Sequence, residues 1–252
     1  MEPVKLFIGS SSNGEDQEIE LAYEYSLRKN TKRELDITWM RQSNDPESPW
    51  HGWNTKRWST PFSGFRWAIP YLCDFKGKAI YTDVDMINFR DIGDLWDTDL
   101  QGRLCAARPG TRFGGFEFCV TVFDCAQMGR FFPINNELDF ATRKEEQTWH
   151  HGMIDTLVRN PNLVLPLDPR WNCLDGEDRP LSDIWQLHYT NMATQPWEPD
   201  WYVGPKKTHP RQDVVDVMWD TLNAALDDPS GKYRFTEIPE DQLIKNYNII
   251  GK

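Results

Sequence analysis

The stretch KAIYTDVDMINFRDIGDLW, residues 78–96, decides how this sequence is interpreted. Its apolar beginning predicts a buried strand, and that strand ends in two aspartates separated by one valine. Side chains alternate along a strand, so we expect Asp83 and Asp85 to point the same way while Val84 points into the core. Neighbouring carboxylates repel each other and lose hydration when buried. The pair therefore indicates contact with solvent, hydrogen-bond donors or a cation.

The composition is that of an ordinary globular domain. The 252 residues are 39% hydrophobic and 27% charged, and the net charge of −11 argues against binding duplex nucleic acid by broad phosphate neutralisation. An anionic ligand would need a local cation. No apolar run approaches about 20 residues, and the first residues lack a leader pattern, so we expect no transmembrane segment and a cytoplasmic location. Five cysteines without a CxxC pair predict reduced, buried thiols.

Strands alternate with helices along most of the chain. Strands are predicted at residues 4–8, 35–40, 78–83, 104–108, 116–124, 163–167 and 184–190, and helices at residues 16–29, 59–75, 143–160 and 211–226. This order favours an α/β domain with a mostly parallel sheet, whose ligands bind at the carboxyl ends of the strands. We expect one domain over residues 1–200 and a helical C-terminal extension, residues 201–252, packed on it.

Residues 41–59 are too polar and Pro-rich for a helix or strand, so they predict a long loop. The loop contains Trp50, Trp53 and Trp58. Two interpretations stay open: the rings pack into the protein, or they fold over a bound ligand.

The order of motifs around the aspartate pair resembles retaining glycosyltransferases of family 8, the glycogenin-like and lipo-oligosaccharide galactosyltransferase group. The family pattern YLDADxxxxxDIxxLW is similar to YTDVDMINFRDIGDLW here. Four further segments resemble family motifs in the same order: FSGFRWAIPYL, EEQTWHHGMIDTLV, LPLDPRWNCL and LHYTNMATQPW. The resemblance covers about residues 4–197. It implies a GT-A type nucleotide-diphospho-sugar transferase fold, which is Rossmann-like.

The resemblance also implies roles for individual residues. Asp83, Asp85 and His188 match the family's metal ligands, which would hold Mn²⁺ or Mg²⁺ against the diphosphate of a nucleotide sugar. Glu146 and Gln147 match the start of the family's DQDxLN segment, and Gln147 would lie near the reacting sugar as a polar stabiliser. With Asp83, which would also contact the ribose, they are the candidate catalytic residues.

Further residues are implied to contact the nucleotide sugar. Gly9, Ser10 and Ser11 would border the nucleoside, and Arg66 would reach the sugar nucleotide from the helix before the aspartate pair. Asn191 and Gln195 stand where the family's HFxGxxKPW motif has the glycine and the lysine that hold the diphosphate.

The sequence departs from the family in several places. The family's FNxG motif is here FEFC, residues 116–119, so a glycine and an asparagine near the sugar are missing. Gln195 replaces the lysine, Asn191 replaces the glycine, and one extra residue lies between His188 and Pro196. These changes leave the identity of the donor and its affinity open.

The resemblance implies transfer of a sugar, with UDP as the expected nucleotide, to a saccharide or other hydroxyl acceptor with retention at the anomeric carbon. Two alternatives stay open. A sugar nucleotidyltransferase would also bind a nucleotide and a metal, but the loop GSSSNGEDQE lacks the basic residue usual in those enzymes. A non-catalytic carbohydrate-binding protein could retain the fold, and the missing lysine, glycine and asparagine favour it.

Overall fold

The computed structural model describes residues 2–110 and 115–245. Its strands are β1 (Val4–Gly9), β2 (Leu35–Met40), β3 (Lys78–Asp83), β4 (Met86–Asn88), β5 (Cys105–Pro109), β6 (Phe116–Asp124), β7 (Val164–Pro166), β8 (Cys173–Leu174) and β9 (Gln186–His188). Its α-helices are α1 (Gln17–Asn30), α2 (Ile69–Leu72), α3 (Ile92–Trp96), α4 (Cys125–Phe131), α5 (Glu137–Glu145), α6 (Trp149–Arg159) and α7 (Gln212–Leu226).

The central sheet has six strands in the order β2-β1-β3-β6-β5-β7. β1 is parallel to both β2 and β3, and β5 is parallel to β7, which confirms the predicted mostly parallel α/β sheet. β6 runs antiparallel to both of its neighbours. Since Thr82 pairs with Val120, the beginning of β6 lies beside the end of β3. Residues from the start of one strand and the end of another therefore meet at one edge of the sheet.

A second, three-stranded sheet has the order β4-β9-β8. β9 is antiparallel to β4, with Met86 opposite His188, and parallel to β8, with Leu174 opposite His188. The backbone N–H of Tyr189 also donates to the carbonyl of Asp85 at 2.9 Å. This small sheet brings the end of β9 next to the turn that follows β3.

The core lies on both faces of the central sheet. β1 and β3 are nearly fully buried, as expected for parallel strands covered on two sides. α1 buries an apolar stripe that includes Ile19, Tyr23 and Leu27, and it packs against α7. The extension predicted for residues 201–252 thus contains one helix that contacts the domain, while residues 246–252 lie outside the described residues. The proposed boundary near residue 200 stays a prediction.

The loop predicted at residues 41–59 is confirmed, because it contains no helix or strand and only an isolated bridge between Ser43 and His51. Its three tryptophans are buried, with 5–7% of each residue exposed. Trp53 stacks on Trp149 of α6 with ring centroids 5.6 Å apart and planes inclined by 14°. The rings therefore pack into the protein.

Two predicted helices differ from the observed ones. The segment at residues 59–75 forms only a 3-10 turn, Phe65–Ala68, and the short α2, because Pro70 is tolerated in a first turn but not in a long helix interior. The helix predicted at residues 143–160 is interrupted between α5 and α6, at residues 146–148.

The five cysteines are all free, as predicted. None of the helices within residues 2–110 and 115–245 combines the length and the apolar character needed to span a membrane.

Candidate active site

Asp83 and Asp85 lie at the carboxyl edge of the central sheet. Asp83 is the last residue of β3 and pairs with Gly9, the last residue of β1. Asp85 follows in the turn to β4, and Val84 between them is buried in the core. Both aspartates are largely buried, with 6% and 9% of their surface exposed. Two carboxylates in so little water need compensating partners.

Asp83 is held by an arginine and a tyrosine. Its Oδ1 accepts a hydrogen bond from Nη2 of Arg66 at 3.0 Å and another from the hydroxyl of Tyr81. The Arg66 guanidinium lies 4.4 Å from the centre of the Tyr81 ring, and it also donates to the carbonyls of Ser63 and Phe118. Each of the three guanidinium nitrogens of Arg66 thus donates within the protein, and the charge of Arg66 compensates that of Asp83. The predicted contact of Arg66 with the sugar nucleotide stays a prediction.

His188 is oriented by an asparagine. Its Nδ1 lies 2.7 Å from Oδ1 of Asn172. Because an amide oxygen can only accept, the hydrogen of the neutral ring lies on Nδ1 and Nε2 carries a free lone pair. That Nε2 lies 3.2 Å from Oδ1 of Asp85. Burial lowers the pKa of His188, but the Asp85 carboxylate outweighs burial, so the net shift of the pKa is upward.

Asp85 has one carboxylate oxygen without a donor. Among the described residues, its buried Oδ1 has no assigned hydrogen bond, and the nearest polar contact of this atom is His188 Nε2 at 3.2 Å. Its Oδ2 accepts from Nε2 of Gln195 at 3.4 Å, and the same amide donates to the carbonyl of Tyr189 at 3.0 Å. Burial raises the pKa of Asp85, and His188 opposes this shift only in part. An unpartnered buried oxygen beside an imidazole lone pair fits a cation.

Cys119 joins this group, which the sequence alone did not reveal. The potential ligand atoms of Asp83, Cys119 and His188 all lie within 4.8 Å of one another. Burial and the Asp83 carboxylate raise the pKa of the Cys119 thiol, although Arg66 opposes the shift. A bound cation would reverse this preference, since a coordinating thiol is deprotonated. The donor set of carboxylates, imidazole and thiol suits a divalent transition-metal ion.

The loop after β1 lies on the same edge as the aspartates. A Cβ atom on Gly9 would lie 2.9 Å from both Phe62 Cδ2 and the Tyr81 hydroxyl, so only glycine fits there. Ser10 and Ser11 are each 1% exposed, and the Ser10 hydroxyl donates to Glu20. Gly9, Ser10 and Ser11, which are predicted to border the nucleoside, thus lie near Asp83. Their role in binding stays a prediction.

A buried carboxyl group anchors the segment after β9. Asp16 is fully buried and accepts hydrogen bonds from the indole nitrogens of Trp197 at 2.8 Å and Trp201 at 3.1 Å. Burial raises the pKa of Asp16 to about 7, and the indole of Trp197 is the largest opposing influence. The start of α1 and the segment carrying Gln195 are therefore joined through one side chain.

Three predicted residues have no described hydrogen bond or ion pair to Asp83 or His188. Glu146 forms a 3.0 Å ion pair with Arg143, and Gln147 is exposed in the break between α5 and α6. Within the part of the chain that the structure describes, no hydrogen bond or ion pair links either residue to Asp83 or His188. Asn191 is also exposed, and its carbonyl accepts from the backbone N–H of Gln195 at 3.1 Å. Their assigned roles stay predictions.

His150 is buried at the start of α6. Its Nδ1 accepts a hydrogen bond from the Trp67 indole at 2.9 Å. Burial and the charge of Arg66 hold the pKa of His150 well below its usual value. The hydrogen bond from Trp67 to the neutral ring of His150 therefore connects α6 with the segment that carries Arg66.

No protein-family profile and no curated protein sequence matches this chain. Comparison of folds, however, finds similar solved structures. The bifunctional glycosyltransferase WbbM matches with a TM-score of 0.59 at 15% identity, over 91% of this chain and 50% of that protein. The glycosyltransferase GlyE of Streptococcus pneumoniae TIGR4 matches with a TM-score of 0.59 at 18% identity, over 94% of this chain and 66% of that one.

The galactosyltransferase LgtC, solved in complex with donor and acceptor sugar analogs, matches with a TM-score of 0.57 at 13% identity. That match covers 94% of this chain and 98% of LgtC. The chain thus spans about half the length of WbbM, two thirds of GlyE and nearly all of LgtC. The chain has the fold of these glycosyltransferases, which is the GT-A type fold that the sequence predicted.

Proposed function

We propose that the chain is a metal-dependent glycosyltransferase of the family 8 type. It transfers a sugar from a nucleoside-diphosphate sugar, with UDP as the nucleotide, to a hydroxyl acceptor with retention of anomeric configuration. One observation carries the proposal: a buried carboxylate oxygen of Asp85, to which no hydrogen bond is assigned, lies 3.2 Å from Nε2 of His188, at the same sheet edge as Asp83. The shared fold with LgtC, whose structure holds donor and acceptor sugar analogs, supports the substrate class.

Asp83, Asp85 and His188 would hold the ion, Mn²⁺ or Mg²⁺. Carboxylates suit both ions, and the imidazole favours Mn²⁺. The free Nε2 of His188 and the unpartnered Oδ1 of Asp85 are acceptors that a cation satisfies. When bound, the ion neutralises charge on the departing diphosphate.

Other residues of this chain hold the site in place. Asn172 fixes the His188 ring, and the positive charge of Arg66 compensates the negative charge of Asp83. Gln195 donates to Asp85 but brings no charge of its own, so direct attraction for the diphosphate is weaker than a lysine would give. Gly9 lets β1 approach Tyr81 closely.

Contacts to the sugar and the diphosphate are assigned as the sequence predicts. Gln147, exposed between α5 and α6, is the polar group proposed for the reacting sugar, with Glu146 beside it. Ser10 and Ser11 border the nucleoside, and Asn191 stands near the diphosphate. The net charge of −11 favours a saccharide or small hydroxyl acceptor over duplex nucleic acid. We also propose that the protein is located in the cytoplasm.

Release of nucleoside diphosphate from a panel of nucleotide sugars with Mn²⁺ tests the proposal. Water often replaces an unknown acceptor, so slow UDP release from at least one UDP-sugar is expected. Asp85→Asn should abolish this release. Pyrophosphate formation would indicate a nucleotidyltransferase instead. Saccharide binding without release of either product would indicate a carbohydrate-binding protein that retains the fold.

A further inference from the structure

Cys119 brings a sulfur atom to the candidate metal site. It lies near the start of β6, which is placed beside the end of β3 because the two strands are antiparallel. Its Sγ therefore comes within 4.8 Å of a carboxylate oxygen of Asp83 and of a ring nitrogen of His188. Metal–ligand bonds of about 2.0–2.3 Å would allow one ion to contact all three after small adjustments. Potential ligands on β3, β6 and β9 thus lie close together.

The surroundings of Cys119 differ from those of most other cysteines. Cys105, Cys125 and Cys173 are buried, whereas Cys119 is only half-buried. A second observation at the same place also indicates a ligand, since the buried Oδ1 of Asp85 has no hydrogen-bond donor among the described residues. The sulfur and this oxygen both lie near His188.

We propose that Cys119 coordinates the divalent ion together with Asp83 and His188. Of the two ions named above, the site then takes Mn²⁺ rather than Mg²⁺, and it binds the softer ions Zn²⁺ and Co²⁺ more tightly than either. The inference rests on the proposed function, because it concerns the ion which that function requires. Thiolate ligands favour Zn²⁺ and its neighbours, whereas Mg²⁺ requires oxygen ligands and keeps its water. When the sulfur–metal bond forms, the thiol proton passes to bulk water, and no oxidant or reductant is needed.

Cobalt absorption spectroscopy tests the sulfur ligand directly. The full chain, freed of metal with a chelator, is titrated with Co²⁺. The wild type should develop visible bands of the bound ion together with a near-ultraviolet thiolate-to-cobalt charge-transfer band. Cys119→Ser should lose the charge-transfer band, whereas Cys73→Ser, which changes the other half-buried cysteine, should keep it.

Competition titrations measure the selectivity. Zn²⁺ should displace Co²⁺ from the wild type at far lower concentration than Mg²⁺ does. Cys119→Ser should weaken Zn²⁺ binding by at least about tenfold while leaving Mg²⁺ binding nearly unchanged. An equal loss of Zn²⁺ and Mg²⁺ affinity in Cys119→Ser would overturn the proposed selectivity.

The outcomes separate this inference from the proposed function. Co²⁺ binding that needs Asp83 and His188 but gives no charge-transfer band would overturn the role of Cys119 and leave the proposed site intact. Co²⁺ binding unchanged in both Asp83→Asn and His188→Ala would overturn both.

If Cys119→Ser fails to fold, thiol labelling of the wild type decides the role of Cys119. Peptide mass spectrometry locates the label, and Zn²⁺ should protect Cys119 but not Cys73. Equal labelling with and without Zn²⁺ would refute coordination by sulfur.

Discussion

The Nδ1 atom of His188 lies 2.7 Å from the side-chain oxygen of Asn172. Asn172 immediately precedes β8, and β8 pairs in parallel with β9, which ends at His188. The same strand pairing therefore sets the position of the ring and of the group that orients it. Fixing the hydrogen on Nδ1 leaves Nε2 as the nitrogen that faces Asp85.

Asn172→Ala should weaken Mn²⁺ binding by about 10–100-fold, the usual effect of losing a group that orients a metal-binding histidine. Isothermal titration calorimetry with Mn²⁺ measures this change, with and without UDP. Asn223→Ala, on the exposed side of α7, is the matched control and should bind as the wild type does. Unchanged affinity in Asn172→Ala would remove the proposed role of the asparagine.

Asp85→Asn should abolish UDP binding in the presence of Mn²⁺ and leave the unfolding temperature without ligand unchanged or slightly higher. Burial already disfavours the charged carboxyl group, and an amide retains an oxygen for Gln195. Differential scanning calorimetry and UDP titrations measure the two effects. Asp155→Asn, exposed on α6 and paired with Arg159, controls for the same exchange of carboxylate for amide at a surface ion pair. A large drop in unfolding temperature for Asp85→Asn would instead indicate a structural role.

Gly9→Ala should destabilise the fold by about 1–3 kcal/mol, because the new methyl group would lie 2.9 Å from Phe62 and from the Tyr81 hydroxyl. Displacement of Tyr81 should also disturb its hydrogen bond to Asp83 and reduce UDP binding. Urea unfolding measures the stability change. Gly152→Ala is the control, since nothing lies within 4 Å of its added Cβ, and it should stabilise α6 by about 0.5–1 kcal/mol. Similar free energies of unfolding for the two variants would show that Phe62 and Tyr81 move aside for the methyl group without cost.

The stabilising effect of Asp16 should decrease as the pH rises. Its pKa is about 7 in the folded protein and near 3.8 when unfolded, so the folded state binds the proton more tightly. The contribution is complete below about pH 4 and is lost progressively up to about pH 7. Relative to Asp16→Asn, which does not titrate, the wild type should lose up to about 3 kcal/mol between pH 5 and pH 8.

Urea unfolding of both proteins across this pH range tests the prediction. Glu18→Gln, at a half-buried position of the first turn of α1, controls for the removal of one carboxyl group from this helix. Parallel pH profiles for the wild type and Asp16→Asn would contradict a raised pKa at Asp16.

Local sequence patterns predicted the strands well. Residues 35–40 and 116–124 form β2 and β6 within the predicted bounds, because runs of apolar and β-branched residues carry the signal locally. The order of motifs around Asp83 and Asp85 predicted the fold, which the structure confirms, and the site that these motifs imply stays a prediction. Contacts that depend on distant strand pairing were not predictable in this way.

Cys119 and Asn172 illustrate the contacts that local sequence patterns do not predict. Cys119 approaches Asp83 only because β6 runs antiparallel to β3. No local sequence pattern predicts the relative direction of these two strands. Asn172 approaches His188 through the pairing of two very short strands. The break after α5 was missed because residues 143–160 contain no proline, and the two helices are separated where the backbone of Glu146 becomes extended, with φ −69° and ψ 105°.

The stacked rings of Trp53 and Trp149 give the protein an internal optical reporter. Their centroids lie 5.6 Å apart and their planes are nearly parallel, so the electronic transitions of the two indoles are coupled. The coupled pair should contribute an exciton signal to the circular dichroism spectrum. Because Gln147 lies two residues before Trp149, loss of that signal would report the detachment of the loop from the helix that positions Gln147, without any added label.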